Sequence, residues 1–245
     1  MSRHIAILTT LAAISMFTVG CAGGSGGPLS TLMDQVRLDD PLADRTYIQN
    51  QDVIEVSESV PALIEYLSND ESPKVNAWAA LILGRIGDPQ AVPALTAALS
   101  NNDADTRNRA VGALSLIGET EAEEAFIEAL RSGNRDARIT ALVELEKTLS
   151  INAIPAIADT ARANDGMVSK NAIDTLGGIG DASSTAPLVE IALSTNMDDN
   201  LRRAAIMNLH RMTIPEAAAG LQEVIAGLAG QEGTDELLQL ARDQG

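Results

Sequence analysis

The chain has 245 residues, enough for one large domain or two small ones, and its 34 acidic against 17 basic residues give a formal charge of −17. Because a surface this acidic repels phosphate backbones, no nucleic-acid partner is expected. One cysteine and two histidines allow no internal disulfide and no cysteine-rich metal site, and histidine-based catalysis would have to use His210.

The first twenty residues have the features of a targeting segment. A short basic start at Arg3 and His4 precedes a run of apolar or small residues from Ile5 to Val19. Such a run is too short to span a bilayer but suits the apolar core of a signal peptide. We therefore expect residues 1–20 to be a signal peptide that takes no part in the fold, and no transmembrane helix elsewhere.

The end of this segment, "TVGC", resembles the lipobox of bacterial lipoproteins. In that family a small residue, here Gly20, precedes a cysteine that receives diacylglycerol and becomes the first residue of the mature chain. The resemblance implies lipidation of Cys21 and anchoring in the bacterial cell envelope on the periplasmic side. Because Ala22 and not Asp follows the cysteine, it favours the outer membrane. Thr18 stands where the family prefers leucine, and an ordinary secretory signal is the alternative.

Two segments separate this anchor from the main body of the chain. Residues 21–28 are rich in glycine and are predicted to be a flexible tether. Residues 29–56 contain the apolar stretch "LSTLMDQVRL" and are predicted to form an N-terminal helical cap.

From residue 57 to the end, the chain repeats with a period of about 31 residues. Related segments begin at Val60, Val92, Glu123, Ile154, Ala186 and Ala217. In phase with them are five leucines, each four residues after an alanine: Ala79 and Leu83, Ala110 and Leu114, Ala141 and Leu145, Ala172 and Leu176, Ala205 and Leu209. Residues four apart share one helix face. Each unit is therefore predicted to be helix A, a short turn, helix B and a second turn.

Proline, aspartate and glycine mark the expected helix ends. Helix A is predicted to open at Asp-Pro, as at Asp88-Pro89, and helix B to end at Ile-Gly, as at Ile86-Gly87. One unit alone buries too little apolar surface to offset the entropy of ordering its backbone, so adjacent units must stack. Residues 57–245 are thus expected to form an all-α solenoid, closed by a C-terminal cap helix at Thr234–Arg242 with Thr234 as its N-cap.

Three segments, 75–95, 106–119 and 169–181, resemble the short HEAT-like repeats first described in phycobilisome lyases. The resemblance covers residues 57–229. It implies a right-handed α-solenoid in which helix B lines the concave surface, and it is typical of proteins with many different binding tasks.

Exposed positions of helix B are the candidates for partner binding. They are Trp78, Arg109 and Asn171 in one row, and Arg85, Lys147, His210 and Arg211 in another. The alternative is that Trp78 packs between repeats and the arginines form surface ion pairs. A further repeated position, held by Arg107, Arg138 and Arg202, is expected to contact the neighbouring repeat rather than a ligand.

Short patterns that could suggest a ligand are better explained as turns. "LGGIG" at 176–180 follows helix B and lacks a preceding strand, so no nucleotide site is expected. "NDAD" at 102–105 and "DDNLRRAA" at 198–205 lack the Gly and distal Glu of a calcium loop and are predicted to be helix turns with N-caps.

These patterns predict a non-catalytic, membrane-tethered scaffold for a protein or peptide partner, with no cofactor, metal or small-molecule substrate. Two alternatives remain. A module for an envelope glycan or assembly would need several exposed aromatic side chains, and the chain offers mainly Trp78, Tyr47 and Tyr66. A lyase-like enzyme would need a deep pocket with a strongly perturbed titratable group.

Overall fold

The computed structural model describes residues 27–231 and 233–242, and within them the chain forms α-helices, short 3-10 turns and no strand. The predicted signal peptide, Cys21 and the tether up to residue 26 lie outside the described residues. The helices are α1 (Pro28–Arg37), α2 (Ala43–Ile54), α3 (Val60–Asn69), α4 (Pro73–Ile86), α5 (Val92–Ala98), α6 (Ala104–Ile117), α7 (Glu119–Ser132), α8 (Arg135–Lys147), α9 (Ile154–Arg162), α10 (Gly166–Ile179), α11 (Thr185–Leu193), α12 (Asp199–Arg211), α13 (Pro215–Leu228) and α14 (Asp235–Arg242).

The helices form two stacked layers, as expected for an α-solenoid. The A helices are α3, α5, α7, α9, α11 and α13. Each packs on the B helix that follows it in the chain, and each except α13 packs on the next A helix. The B helices are α4, α6, α8, α10, α12 and α14, and neighbouring B helices also pack on one another, except that α6 and α8 hardly touch. The predicted all-α solenoid of helix pairs is therefore confirmed.

The repeated alanines and leucines of helix B form the core between the layers. All ten side chains, from Ala79 and Leu83 in α4 to Ala205 and Leu209 in α12, are completely buried. The small alanine lets helices approach closely, and glycine does so in places: a Cβ at Gly84 of α4 would lie 2.5 Å from the Cα of Ala113 in α6. The face predicted from four-residue spacing is thus the buried face.

The start of helix A differs in detail from the prediction. Asp88 does cap an N-terminus, accepting a hydrogen bond from the backbone N–H of Gln90 at 2.9 Å, but it caps a 3-10 turn at Pro89–Ala91. The α-helix begins only at Val92, so that Pro93 lies in its first turn. Pro61 and Pro155 hold the same place in α3 and α9. Proline is tolerated there because the first N–H groups of a helix have no internal partner.

Helices α4, α6 and α10 end at Ile-Gly as predicted, but the glycine has the expected left-handed conformation in only two of them. Gly87 and Gly180 end α4 and α10 in the left-handed conformation, with φ of 72° and 66°. Gly118 at the end of α6 is instead extended, with φ of 170°, and serves as the only residue between α6 and α7. No 3-10 turn precedes α7, whose segment lacks the proline that other A helices carry in their first turn.

Helices close both ends of the stack. At the N-terminal end, α1 packs on α2 and α4, and within the described residues this pair occupies the segment for which a helical cap was predicted. At the C-terminal end, α14 packs on α12 and α13. Thr234 directly precedes α14 as predicted, and its carbonyl oxygen accepts from the N–H of Leu238. Its hydroxyl, however, lies 3.1 Å from the carbonyl oxygen of Leu228 and 2.9 Å from that of Gln231. As a donor to these carbonyls, it ties the turn to the end of α13.

Candidate functional site

Exposed apolar side chains are unevenly distributed over the two layers. Among the described residues, large apolar side chains that are exposed lie on helix B, on or beside the cap helices, or in the turn after α8, and none lies on an A helix. Those on helix B are Leu116 in α6, Val143 in α8, Met167 in α10 and Met207 in α12. An exposed apolar patch rimmed by polar residues is typical of a binding surface.

The four side chains on helix B share one direction. They lie two or six residues after the buried alanine of their helix, or five before it. At 3.6 residues per turn these offsets correspond to about 200°, 240° and 220° around the helix axis. They therefore point to the side opposite the buried alanines, and we call the surface they share the B face.

Trp78 and Arg85 belong to a packed cluster at the N-terminal end. The ring of Trp78 meets that of Tyr47 edge to face, with centroids 5.3 Å apart and planes at 76°. The guanidinium of Arg85 lies 5.3 Å from the centroid of the same Tyr47 ring and donates to the Tyr47 hydroxyl at 2.8 Å. The Tyr47 hydroxyl in turn donates to Glu55. The cluster Tyr47, Glu55, Trp78 and Arg85 fastens the cap to the first repeat.

The titration of this cluster follows from its packing. Burial raises the pKa of Tyr47 to about 12, and the hydrogen bond to Glu55 acts in the same direction. Burial also tends to raise the pKa of Glu55, but hydrogen bonds from Tyr47 and Gln51 and the charge of Arg85 outweigh it and lower that pKa. The phenol thus stays protonated and the carboxylate charged at neutral pH, as their hydrogen bond requires.

Trp78 and Arg109 line a common cleft, as their predicted row implies. The cleft has a volume of about 270 Å³, and its other lining residues come from α1, the start of α2 and the turn between them, together with Lys74 and Asp105. Arg109 forms an ion pair with Asp105 at 2.9 Å, and Lys74 pairs with Asp39. These pairs match the alternative interpretation, in which the cations of helix B neutralise nearby acids.

The remaining candidates lie elsewhere along the stack. Asn171 is half-buried on α10. His210 Nε2 lies 3.1 Å from the carbonyl oxygen of Leu240 and, as donor, joins α12 to α14. Arg211 donates to Asn208 Oδ1 at 3.1 Å. None of these three residues lines the cleft beside Trp78.

The repeated arginines early in helix B make the structural contacts expected of them in two cases. Arg107 pairs with Asp136 at 3.2 Å, and Arg138 pairs with Asp165 at 3.2 Å, in each case reaching the next repeat. Arg202 instead donates to the carbonyl oxygen of Ala192, at the end of the A helix of its own repeat, at 3.1 Å. All three help to hold the stack together.

The turns that could suggest a ligand are confirmed as helix caps. Asp103 accepts from the backbone N–H of Thr106 at 2.8 Å, and Asp198 accepts from that of Asn200 at 2.8 Å. Across the described ranges, no three His, Cys, Asp or Glu side chains are placed to hold a metal ion. In the same ranges, no helix combines the length and apolar character needed to cross a bilayer.

A cleft between α6 and α8 was not anticipated from the sequence. Its volume is about 510 Å³. It is lined by Ser115 of α6, by Glu119, Thr120, Ala122, Glu123 and Phe126 of α7, by Glu144 of α8, and by Thr148 and Ser150 in the turn after α8. The sequence indicates this cleft only indirectly, through the short connection at this repeat, where Gly118 alone links α6 to α7.

The chain matches the family of HEAT repeats at residues 60–146 and 123–210. It is 25% identical over 144 residues to Protein YibA of Escherichia coli strain K12, and it spans about half the length of this curated relative: the match covers 58% of the chain and 50% of YibA.

Two solved structures show a helical arrangement that can be aligned with most of the chain. One is human deoxyhypusine hydroxylase, with a TM-score of 0.42, 18% identity and coverage of 89% of this chain and 85% of that one. The other is the complex of CpcE and CpcF of phycocyanin lyase from Nostoc sp. PCC7120, with a TM-score of 0.39, 18% identity and coverage of 95% and 100%. The family match extends over more than half of the chain and coincides with the stacked helix pairs described above. The chain therefore belongs to the HEAT-repeat family.

Proposed function

We propose that this HEAT-repeat chain is a non-catalytic scaffold that binds a protein or peptide partner through its B face and is held at a bacterial membrane by a lipid on Cys21. The observation that carries the binding proposal is the distribution of exposed apolar side chains. Leu116 is 64% exposed, Val143 46% and Met207 54%, whereas the A helices expose no large apolar side chain within the described residues. A surface that served only for solubility would have no reason to differ between the layers.

The alternatives receive less support. Recognition of a glycan would call for exposed aromatic rings, but Tyr47 is buried and Tyr66 and Trp78 are half-buried. An enzyme of the lyase type would call for a titratable group in a deep pocket. Among the residues that the structure describes, the one strongly raised pKa, that of Tyr47, is accounted for by packing between the cap and α4.

The tether is proposed from the lipobox resemblance. Two or three acyl chains would hold the protein firmly in a membrane, because each buried methylene contributes about 0.8 kcal/mol. Ala22 after the cysteine favours the outer membrane, with the solenoid on the periplasmic side. Mass spectrometry of the protein extracted from membranes should find an acylated Cys21 as the first residue. An unmodified thiol, or cleavage at another position, would contradict the lipid anchor at Cys21 and would leave the binding proposal unaffected.

The binding proposal has its own experiment. The double variant Val143→Ser/Met207→Ser changes two B-face side chains that already contact water, so the fold should be kept. We expect it to capture less of the partner recovered by crosslinking with the unaltered chain. The matched control is Glu65→Ser/Glu216→Ser, which changes two exposed positions on A helices and should leave capture unchanged. Equal capture by both variants would contradict the B face as the binding surface.

A further inference from the structure

Within residues 27–231 and 233–242, the α6–α8 cleft is the one place where the regular stacking of helix B is opened. The pairs α4 and α6, α8 and α10, α10 and α12, and α12 and α14 pack on each other, but α6 and α8 hardly touch and α7 contacts both. The resulting volume of about 510 Å³ lies within the ~300–1,000 Å³ range of ligand pockets. Grooves of similar size between A helices lack exposed large apolar side chains at their edges.

Exposed apolar residues stand next to lining residues of the cleft in the chain, and we call them its rim. Leu116 follows the lining residue Ser115 and is exposed. After α8, Leu149 and Ile151 alternate in sequence with the lining residues Thr148 and Ser150, and each is 56% exposed. These side chains are exposed to water, so a partner that covered them would bury apolar surface, which contributes about 25 cal/mol per Å².

The interior of the cleft is acidic above an apolar floor. Phe126 and Ala122 are buried at its base. Around them stand the carboxylates of Glu119, Glu123 and Glu144. Glu123 accepts hydrogen bonds from Ser150 and Asn152, both neutral, so its charge is not cancelled.

One cation competes for this site. Lys147 Nζ lies 2.6 Å from Glu144 Oε1, and the Lys147 side chain is 62% exposed. Three carboxylates against one lysine leave an excess of negative charge in the cleft. The Glu144 side chain is 19% exposed, but the Lys147 end of the pair is in water. An ion pair at a surface contributes about 0–1 kcal/mol, so an incoming cation can displace Lys147 at little cost.

We propose that the α6–α8 cleft binds a peptide segment of the partner in which a lysine or arginine is flanked by apolar residues. The cationic group would reach Glu119, Glu123 and Glu144, and the apolar neighbours would cover Leu116, Leu149 and Ile151. This inference rests on the proposed function, since it names the chemistry of the partner segment and one place on the solenoid that receives it.

To test this, random 12-residue peptides displayed on phage are selected for binding to the full chain, which is immobilised through a C-terminal tag. We expect enriched peptides to combine lysine or arginine with Leu, Ile or Phe. Synthetic copies should bind less tightly as salt is raised, because salt screens charges at a surface. Enrichment of peptides without basic residues, or no enrichment at all, would overturn the inference.

Variants then locate the binding. Glu119→Gln/Glu144→Gln should weaken an enriched peptide about fivefold, the sum of two exposed charge interactions. The control Glu65→Gln/Glu216→Gln removes the same charge from A helices and should change affinity little, which separates the cleft from general attraction to an acidic chain. Lys147→Gln frees Glu144 and should tighten binding about twofold.

Leu149 allows a rim side chain to be removed without harm to the fold. Its φ is 50°, in the left-handed region where glycine is favoured over leucine. Leu149→Gly should therefore keep or raise stability while weakening peptide binding. If none of these substitutions changes peptide affinity but Val143→Ser/Met207→Ser lowers it, the cleft is not the peptide site, and the B face remains the proposed binding surface.

Discussion

Tyr47 and Trp78 lie edge to face, 5.3 Å between ring centroids, and so join the cap helix α2 to the first B helix α4. Such a pair contributes about 0.5–1.5 kcal/mol beyond the area it buries. In a solenoid each helix pair is stabilised mainly by its neighbours, so a contact at the end affects that end first. Trp78, the only tryptophan in the chain, reports on this contact through its fluorescence.

Tyr47→Ala should loosen the cap while the rest of the stack stays folded. We expect faster amide exchange in α1 and α2, unchanged exchange in α9 to α13, and a red shift of the Trp78 emission as water reaches the indole. Tyr47→Phe is the matched control, because it keeps the ring pair and loses only the hydroxyl contacts, at a cost of about 1 kcal/mol. Uniformly faster exchange along the whole chain would show that the cap is not an independent end.

Gly84→Ala should destabilise the contact between α4 and α6. The added Cβ would lie 2.5 Å from the Cα of Ala113, so the two helices must move apart, at a cost of about 1–3 kcal/mol. Gly112→Ala is the control in α6: a Cβ there meets nothing within 4 Å, and alanine should stabilise the helix by about 0.5–1 kcal/mol. Urea unfolding followed by Trp78 fluorescence measures the free energy of unfolding of both variants. A change of the same sign in both would contradict the close packing of α4 and α6.

Asp103 should make the stability of α6 depend on pH. Hydrogen bonds from the backbone N–H and the hydroxyl of Thr106 lower the pKa of Asp103 below its ordinary value. A group whose pKa is lowered by folding stabilises the native state above its unfolded pKa of about 3.9, and this contribution is lost as the pH falls through the folded pKa. Asp103→Ala should therefore cost about 1 kcal/mol at pH 7 and clearly less at pH 3.

Asp103→Asn is the control for this prediction. Asparagine also caps helices but does not titrate in this range, so its effect relative to Asp103→Ala should be the same at both pH values. Urea denaturation at each pH gives the two differences. An alanine variant that loses as much stability at pH 3 as at pH 7 would exclude the charged cap.

The spacing of alanines and leucines was enough to predict the architecture, because residues four apart in a helix must share a face and a single helix pair cannot bury that face alone. Ala79, Leu83 and their equivalents are all completely buried. Asp103 and Asp198 could be predicted as caps because capping depends on neighbours in the chain. These features are local, so a single sequence suffices for them.

The contacts of the candidate site depend on positions far apart in the chain and were not predicted. Trp78 was expected to face a partner or an adjacent repeat, but its ring contact is with Tyr47 of the cap, 31 residues earlier. The α6–α8 cleft arises from the relative placement of two helices after the extended Gly118, which a repeat pattern does not specify. The exposed Leu116, Val143 and Met207 could have been noticed from sequence, since each lies opposite a predicted buried alanine.

The B face, and not the A-helix layer, is the surface that we propose receives the partner. Photocrosslinking amino acids placed one at a time at Val143 and Met207, and at Glu65 and Glu216 on A helices, test this in intact cells. We expect a crosslink to the same protein from both B-face positions and much less of it from either A-helix position. Crosslinks to that protein mainly from Glu65 and Glu216 would contradict it.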